Sequence, residues 1–213
     1  MKTHVFIDAS NLFYGGEKSL GWKIDYHKLL KYLRDRYHVS DIFYFGGIEI
    51  HDFPYDYLAN VSVPIEKVRL HIERYIRKNR KTLNEADLSL LSRHIRRIRF
   101  YLKLKHFGYQ MLLKPVKLYK QPDGRTERKA NCDVDMAFYL MKGKDQFDRV
   151  LILSGDGDFL PVLKYLRNSG KDVLILARAK RTAREIRQFA GSQFMDFEYL
   201  KMLLRMEEKK HKK

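Results

Sequence analysis

The sequence predicts an α/β protein, a three-layer α/β/α sandwich around a parallel sheet. Five short runs rich in Val, Ile, Leu and aromatic residues recur at positions 4–8, 41–45, 109–115, 149–154 and 172–177. Each is near-continuously apolar rather than alternating, the pattern of a strand covered on both faces. Segments of helical spacing lie between the runs, and strands alternating with helices build such a sandwich with right-handed crossovers.

Taken in order, the first strand is Val5-Phe6-Ile7-Asp8. Asp25 then caps a helix whose buried stripe is Leu29, Leu30 and Leu33. The connection after the second strand breaks the rhythm. Val68, Ile72 and Ile76 follow Pro64 at helical spacing, and Leu88, Leu91, Ile95, Ile98 and Leu102 follow Asn84, a cap. Arg93, Arg96, Arg97, Arg99, Lys103 and Lys105 fill the other faces of the second pattern. This reads as a two-helix insertion at about 51–105, its apolar stripe packed on the domain or on the partner helix and its basic face exposed. After the third strand, a helix starting near Asp133 has Met136, Phe138, Leu140 and Met141 as apolar positions. The fourth strand leads to a helix carrying Phe159, Val162, Leu163 and Leu166, which stops at Asn168-Ser169-Gly170. After the fifth strand, Thr182-Ala183-Arg184-Glu185 has the form of a capping box. The expected organisation is one domain over 1–206 with that insertion, followed by a Lys-rich tail at 207–213.

Composition narrows the function classes. No stretch approaches the roughly 20 apolar residues that span a bilayer, and residues 1–4 run straight into a strand, unlike a cleavable signal peptide. A single cysteine, Cys132, excludes an internal disulfide framework and reads as a small packing residue; no Cys/His cluster has zinc spacing. A soluble cytoplasmic protein is expected, with no membrane partner; a homo-oligomer is compatible with the sequence. The formal net charge is +17. Residues 66–129 hold 19 Lys and Arg against 6 Asp and Glu, an excess of 13, so most of the imbalance lies there. A merely solvated, heat-adapted surface would enrich Glu alongside Lys. Here acids are scarce, and the expected partner is a nucleic acid backbone.

Against that basic background, five aspartates fall in three short stretches. Asp8 ends the first strand in Asp8-Ala9-Ser10-Asn11, where Asn11 can bond a phosphate or hold Asp8 in place. Ser154-Gly155-Asp156-Gly157-Asp158-Phe159 closes the fourth strand, its glycines letting two carboxylates converge. Asp158 is also placed to cap the next helix. Lys129-Ala130-Asn131-Cys132-Asp133-Val134-Asp135 opens a helix on which Asp133 and Asp135 diverge, so one of the two faces the pocket. Acids in a first helical turn are also ordinary partners of the helix dipole. In an open parallel sheet, ligands sit outside the carboxyl ends of the strands. Three acidic stretches delivered there would repel one another unless hard divalent cations, which take oxygen ligands, neutralised them.

Taken together, these residues resemble the NYN domain family, the LabA-like branch of the PIN-like nucleases. The likeness runs from Val5–Asn11 through 129–135 to Ser154-Gly155-Asp156-Gly157-Asp158-Phe159-Leu160-Pro161, then over Gly170-Lys171-Asp172-Val173 to Phe194-Met195-Asp196. It leaves out the insertion. The resemblance implies a PIN-like Rossmannoid sheet and a magnesium- or manganese-dependent ribonuclease. It implies Asp8, Asp133, Asp156 and Asp158 as metal-binding acids, with Asn11 and Ser154 as supporting polar groups and Asp135 beside them. Lys129 can pair with these acids or contact the scissile phosphate, and Arg93, Arg96, Arg97, Arg99 and Lys103 are the candidate RNA contacts.

Other readings fit less well. A phosphatase of the haloacid dehalogenase type needs a second acid where Ser10 stands, and no G-x-x-x-x-G-K-[ST] phosphate loop is present. The eight histidines are scattered without an acid partner in the sequence, as expected of residues on helix faces rather than of a His-based ribonuclease. The rival from another class is a catalytically silent RNA-binding or regulatory module in which the acids hold a structural cation or none.

Overall fold

Each apolar run becomes a strand. The computed structural model describes residues 1–12, 18–120 and 124–207. Its elements are β1 (Thr3–Asp8), α1 (Lys18–Leu20), α2 (Tyr26–Tyr37), β2 (Val39–Ile48), α3 (Ile65–Asn79), α4 (Glu85–Phe107), β3 (Gln110–Pro115), β4 (Lys117–Lys120) and β5 (Thr126–Lys129). They continue with α5 (Asp133–Lys142), β6 (Arg149–Leu153), α6 (Leu160–Asn168), β7 (Asp172–Ala177), α7 (Arg184–Ala190), β8 (Phe194–Asp196) and α8 (Lys201–Leu204). The main sheet has the order β3-β2-β1-β6-β7-β8, and β4 with β5 forms a separate antiparallel ribbon. Two compact units are distinguished: Met1–Phe43 with Asp133–Lys213, and Tyr44–Cys132. Among the described residues no helix is long and apolar enough to cross a membrane.

In the first unit, β1, β6, β7 and β8 run parallel, and their register fixes what meets at the carboxyl edge. Ile7 lies opposite Leu153, and Ala177 opposite Asp196. Asp8 and Ser154 therefore leave adjacent strands at one level. Val5, Phe6, Ile7, Val150, Leu151, Ile152 and Leu153 are buried, as continuous apolar strands covered on both faces should be. Leu29, Leu30 and Leu33 are buried on α2, whose cap Asp25 accepts from the His27 and Lys28 N–H groups, worth about 1 kcal/mol. On α5 the buried pair is Met136 and Leu140, one turn apart, whereas Phe138 is 57% and Met141 37% exposed. A helix places the residue two positions on nearly opposite its core face, so Phe138 is turned outward. Its ring meets Tyr139 edge-on.

His4 departs from the expectation for histidines. It lies buried in β1, with Nε2 3.1 Å from an Asp41 carboxylate oxygen and its ring against Phe43 and Phe147. Burial lowers its pKa, opposed by the Asp41 charge. The partner comes from the next strand, so adjacency in sequence does not show it.

In the second unit, α3 and α4 pack on each other. Val68 and Ile72 of α3 and Leu91, Ile95 and Ile98 of α4 are buried, and Asn84 caps α4 by accepting from the Asp87 N–H. Beyond Ile98 the buried positions become Tyr101 and Leu104, with Leu102 only half-buried. The stripe advances by three residues at each of these steps and so drifts around the helix. It follows Tyr101, which lies edge-on to Tyr44 and donates its hydroxyl to the Gly47 carbonyl at 2.8 Å. Cys132 is buried and forms no disulfide. Arg93, Arg96, Arg97, Arg99, Lys103 and Lys105 are all exposed, as the sequence predicts for the basic face.

Candidate active site

The turn after β1 holds Asp8 in one orientation. Asp8 is 4% exposed, and its Oδ1 accepts from the Ser10 N–H (2.9 Å), the Ser10 hydroxyl (2.7 Å) and the Asn11 N–H (3.2 Å). Its Oδ2 accepts from the Ser154 hydroxyl at 3.1 Å, across the strand pair. A carboxylate has roughly four acceptor sites shared between its two oxygens, so Oδ2 keeps capacity for a further ligand while Oδ1 is filled. Ser10, where a haloacid dehalogenase would need an acid, is thus a clamp on Asp8.

The turn after β6 is tied to the first one. The Asn11 side-chain oxygen accepts from the Gly155 N–H at 3.0 Å, and the Ser154 Oγ accepts from the Asp156 N–H at 3.3 Å. Asp156 then accepts from the Asp158 N–H at 3.0 Å, capping the single 3-10 turn Gly157–Phe159. The side-chain cap is therefore Asp156, two residues before the expected Asp158, and it serves the 3-10 turn, while α6 starts from Phe159 with no side-chain cap. Asp158 is exposed, and its carboxylate accepts no hydrogen bond from the described residues.

The glycines admit a third segment. A Cβ on Gly155 would lie 2.5–2.9 Å from Thr182 Oγ1, Cα and Cβ, and one on Gly157 would collide with Glu185 Oε1. The Ala183 N–H donates to the Gly155 carbonyl at 2.9 Å, locking this segment over the acidic turn. The Thr182 hydroxyl does not cap α7 as the expected capping box requires: it donates to the Arg178 carbonyl at 2.8 Å, and Ala183 caps without its side chain. Arg178, 5% exposed, donates to Asp196 (2.8 Å) and to Glu198. Removing one partner of such a buried pair typically costs about 3–5 kcal/mol. The Arg178 cluster therefore anchors the segment that shapes the acidic turn.

Asp133 and Asp135 occupy the first turn of α5, both half-buried, and α5 packs against β1 and against the 3-10 turn. The donors gathered at this edge are oxygens only. Among the described residues no three His, Cys, Asp or Glu side chains form a ready-made metal cage. Magnesium-like ions take oxygen ligands, commonly one or two carboxylates with water and substrate phosphate completing the shell. Asp8 and Asp156 fit such a group. The candidate RNA-contacting cations of α4 belong to the other unit. The Lys129 side chain and the tail at 208–213 lie outside the described residues, although the Lys129 backbone closes β5. Sequence reasoning gave Ser10, Thr182, Arg178 and Glu185 no role in the site. Only Ser10 carried a local signal, a hydroxyl two residues after a strand-ending Asp.

Two overlapping stretches, residues 2–94 and 90–201, match the model of the NYN domain. The chain belongs to the NYN domain family. This is the family its acid motifs resemble, and the mixed α/β sheet flanked by helices is the expected fold class. The NYN chain is 22% identical over 209 residues to the low amplitude and bright protein LabA of Synechococcus elongatus, covering 96% of this chain and 88% of LabA. A crystal structure of a protein of unknown function from Vibrio parahaemolyticus superposes with a TM-score of 0.57 at 17% identity, covering 92% of this chain and 91% of that one. T5 5′-exonuclease with bound zinc is a more distant likeness, at a TM-score of 0.45 and 14% identity, covering 87% of this chain and 60% of that one.

Proposed function

We propose that this NYN protein is a ribonuclease dependent on Mg2+ or Mn2+, hydrolysing RNA phosphodiester bonds internally in the cytoplasm. The observation that carries the reading is Asp8. A buried carboxylate is fixed by four donors yet keeps one oxygen with spare acceptor capacity, beside a turn that adds Asp156 and Asp158. Asp8, Asp133, Asp156 and Asp158 are the residues that would hold the ion, with Asp135 as a supporting acid. When bound, a divalent ion polarises the scissile phosphate and lowers the pKa of water for in-line attack. The chain's own share is positional. Ser10, Asn11 and Ser154 fix the carboxylates, and the closure of Thr182 and Ala183 over Gly155 keeps the turn from relaxing.

Affinity for the polyanion comes from the basic unit. Arg93, Arg96, Arg97, Arg99 and Lys103 are exposed on α4, and phosphate neutralisation releases counterions whatever the base sequence. Residues 1–206 act as one functional domain, with 51–105 as its RNA-gripping insertion. The test incubates purified protein with labelled single-stranded and structured RNA in Mn2+, Mg2+ or chelator. Metal-dependent cleavage of internally labelled RNA is expected. Binding without cleavage under every metal condition would establish the silent RNA-binding module instead.

A further inference from the structure

A cavity of about 670 Å³ opens beside β8, and the catalytic reading leaves it unused. It lies between α2, α7 and the turn after β8, within the same unit as the acidic turns. Its walls are unusual for a surface hollow. Tyr32, Phe194 and Tyr199 line it, and Tyr199 is 85% exposed, an aromatic ring not used by the core. Tyr32 is held from behind, its hydroxyl 3.2 Å from the Met195 sulfur and its ring edge-on to Tyr37.

The charge of the cavity is one-sided. Asp196 is its one lining carboxylate among the described residues, and that group is already committed to Arg178 at 2.8 Å and to the Glu198 N–H at 3.0 Å. Arg36 and Arg187 also line the cavity, both exposed, and neither has a carboxylate partner among the described residues. Arg36 lies over the Tyr37 ring, 5.7 Å from its centre. Open aromatic faces beside two uncompensated guanidinium groups match a flat aromatic ring that carries negative charge. A nucleotide has both parts: bases stack on aromatic side chains regardless of identity, and guanidinium pairs with phosphate. The volume is that of a small-molecule pocket. A second copy of this chain is a poor occupant, because it would bring its own +17 net charge against these arginines.

Position adds the last step. β6, β7 and β8 are parallel neighbours, and Asp196 ends β8 as Ser154 follows the end of β6. Two strand spacings, roughly 10 Å, separate those strand ends along one edge of the sheet. Resting on the ribonuclease reading for the identity of the polymer, we infer that this cavity is a subsite for one nucleotide of the RNA flanking the scissile phosphate. Its base lies against Tyr199 and Tyr32, and its phosphate meets Arg36 and Arg187.

The test uses the full chain carrying Asp156→Asn, in chelator, so that binding is read without cleavage. Single-stranded RNA oligonucleotides carry 2-aminopurine at successive positions, and fluorescence and affinity are followed together. One position is expected to be quenched on binding. Tyr199→Ala should remove that quench and weaken binding about 5- to 150-fold, the range for loss of one stacked base. Arg36→Ala and Arg187→Ala should each lower the salt slope by roughly 0.7. All three side chains are exposed or line open space, so folding is not at stake, and a melting curve checks it. Unchanged quench, affinity and slope in the three variants overturn the subsite, as does failure of the parent to bind RNA. Loss of a dimer in sedimentation, with RNA affinity intact, would instead make the cavity a protein interface and overturn it too. Cleavage by the wild-type chain is scored separately. RNA binding of the expected kind with no metal-dependent cleavage removes the nuclease reading and keeps the subsite.

Discussion

The acidic turns of one unit and the basic helix pair of the other carry charge in opposite ways. Around Asp8 every donor is assigned: four hydrogen bonds fix one carboxylate, and Asn11 and Ser154 bind the two turns together. On α4, by contrast, Arg93, Arg96, Arg97 and Arg99 are exposed to solvent, and an ion pair on this helix joins Lys105 to Glu66 at 2.8 Å, with both side chains about half exposed. Exposed pairs of that kind contribute little to stability. Chemistry on a phosphate demands position, whereas attraction of a polyanion demands only a field. One region should therefore be intolerant of small geometric changes and the other sensitive only to net charge.

The sharpest break in that contrast is Asp156→Asn. It conserves shape and the cap to the Asp158 N–H but removes a charge from the site. Cleavage should fall at least about 100-fold, in line with the several kcal/mol that metal-ion stabilisation supplies. RNA affinity should hold or rise, because repulsion of phosphate is reduced. A variant that cleaves at the wild-type rate would show that the acidic turn is not the active site.

Gly155→Ala should come next, although it removes no charge. The added methyl would stand 2.5–2.9 Å from Thr182 atoms, two of them not at the end of a flexible chain. Overpacking of this sort costs about 1–3 kcal/mol, a drop of roughly 2–12 °C in melting temperature for a chain of this size. The larger consequence is for activity: a shift of about 1 Å at the turn costs on the order of 100-fold. Full activity with an unchanged melting temperature would mean the Thr182 segment closes over the turn only loosely.

These two variants also mark how far the sequence is legible. The strands could be read because continuous apolar runs need both faces covered, and Asp25 and Asn84 announced their helices because capping is local. The acids could be read because carboxylates between glycines at a strand end have few structural uses. What stayed hidden is nonlocal or nearly featureless. The β4–β5 ribbon reads Lys117-Leu118-Tyr119-Lys120 against Thr126-Glu127-Arg128-Lys129, with no apolar face to betray it. β8 is only three residues long. Thr182 looked like a cap because its local sequence fits one, yet the Arg178 carbonyl, one turn upstream, takes its hydroxyl. Glu185 meets Gly157, and Arg178 meets Asp196, only through the register of the sheet.

A smaller effect is expected from the other region. Neutralising Arg93, Arg96, Arg97 and Arg99 together leaves the acids untouched. Successive helical positions fan around the axis, so about two of the four can contact one RNA strand. The slope of log affinity against log salt should then fall by roughly 1.4, at 0.7 per phosphate contact on a single strand. Titrations at several salt concentrations read this directly, and a very short substrate should still be cut. An unchanged slope would take α4 out of the RNA path and leave its cations as solvated surface.

The smallest effect separates structure from charge within the basic unit. His94 is half-buried on α4, and its pKa is pushed down to about 4, first by burial and then by His51 and the cationic Arg128, Arg93 and Arg97. An unfolded His titrates near 6.5. The folded value is the lower one, so the fold favours neutral imidazole and the unfolded chain takes the proton first as pH falls. Stability from this residue is complete above about pH 6.5, declines between 6.5 and 4, and loses nothing more below that. The loss is on the order of 1–2 kcal/mol, because each tenfold change in proton affinity is worth about 1.4 kcal/mol and water screens the exposed part of the ring. His4, whose pKa is also lowered, acts in the same direction, so the comparison must be between the wild type and His94→Gln. Urea midpoints measured from pH 7.5 to 4 should converge for the two proteins as pH falls, and the His94 ring protons should shift in NMR near pH 4. A ring that titrates near 6.5 would show that the basic face leaves His94 in contact with water. Neutralising the arginines should then raise its pKa no further, whereas a ring crowded by Arg93 and Arg97 should move upward in the quadruple variant.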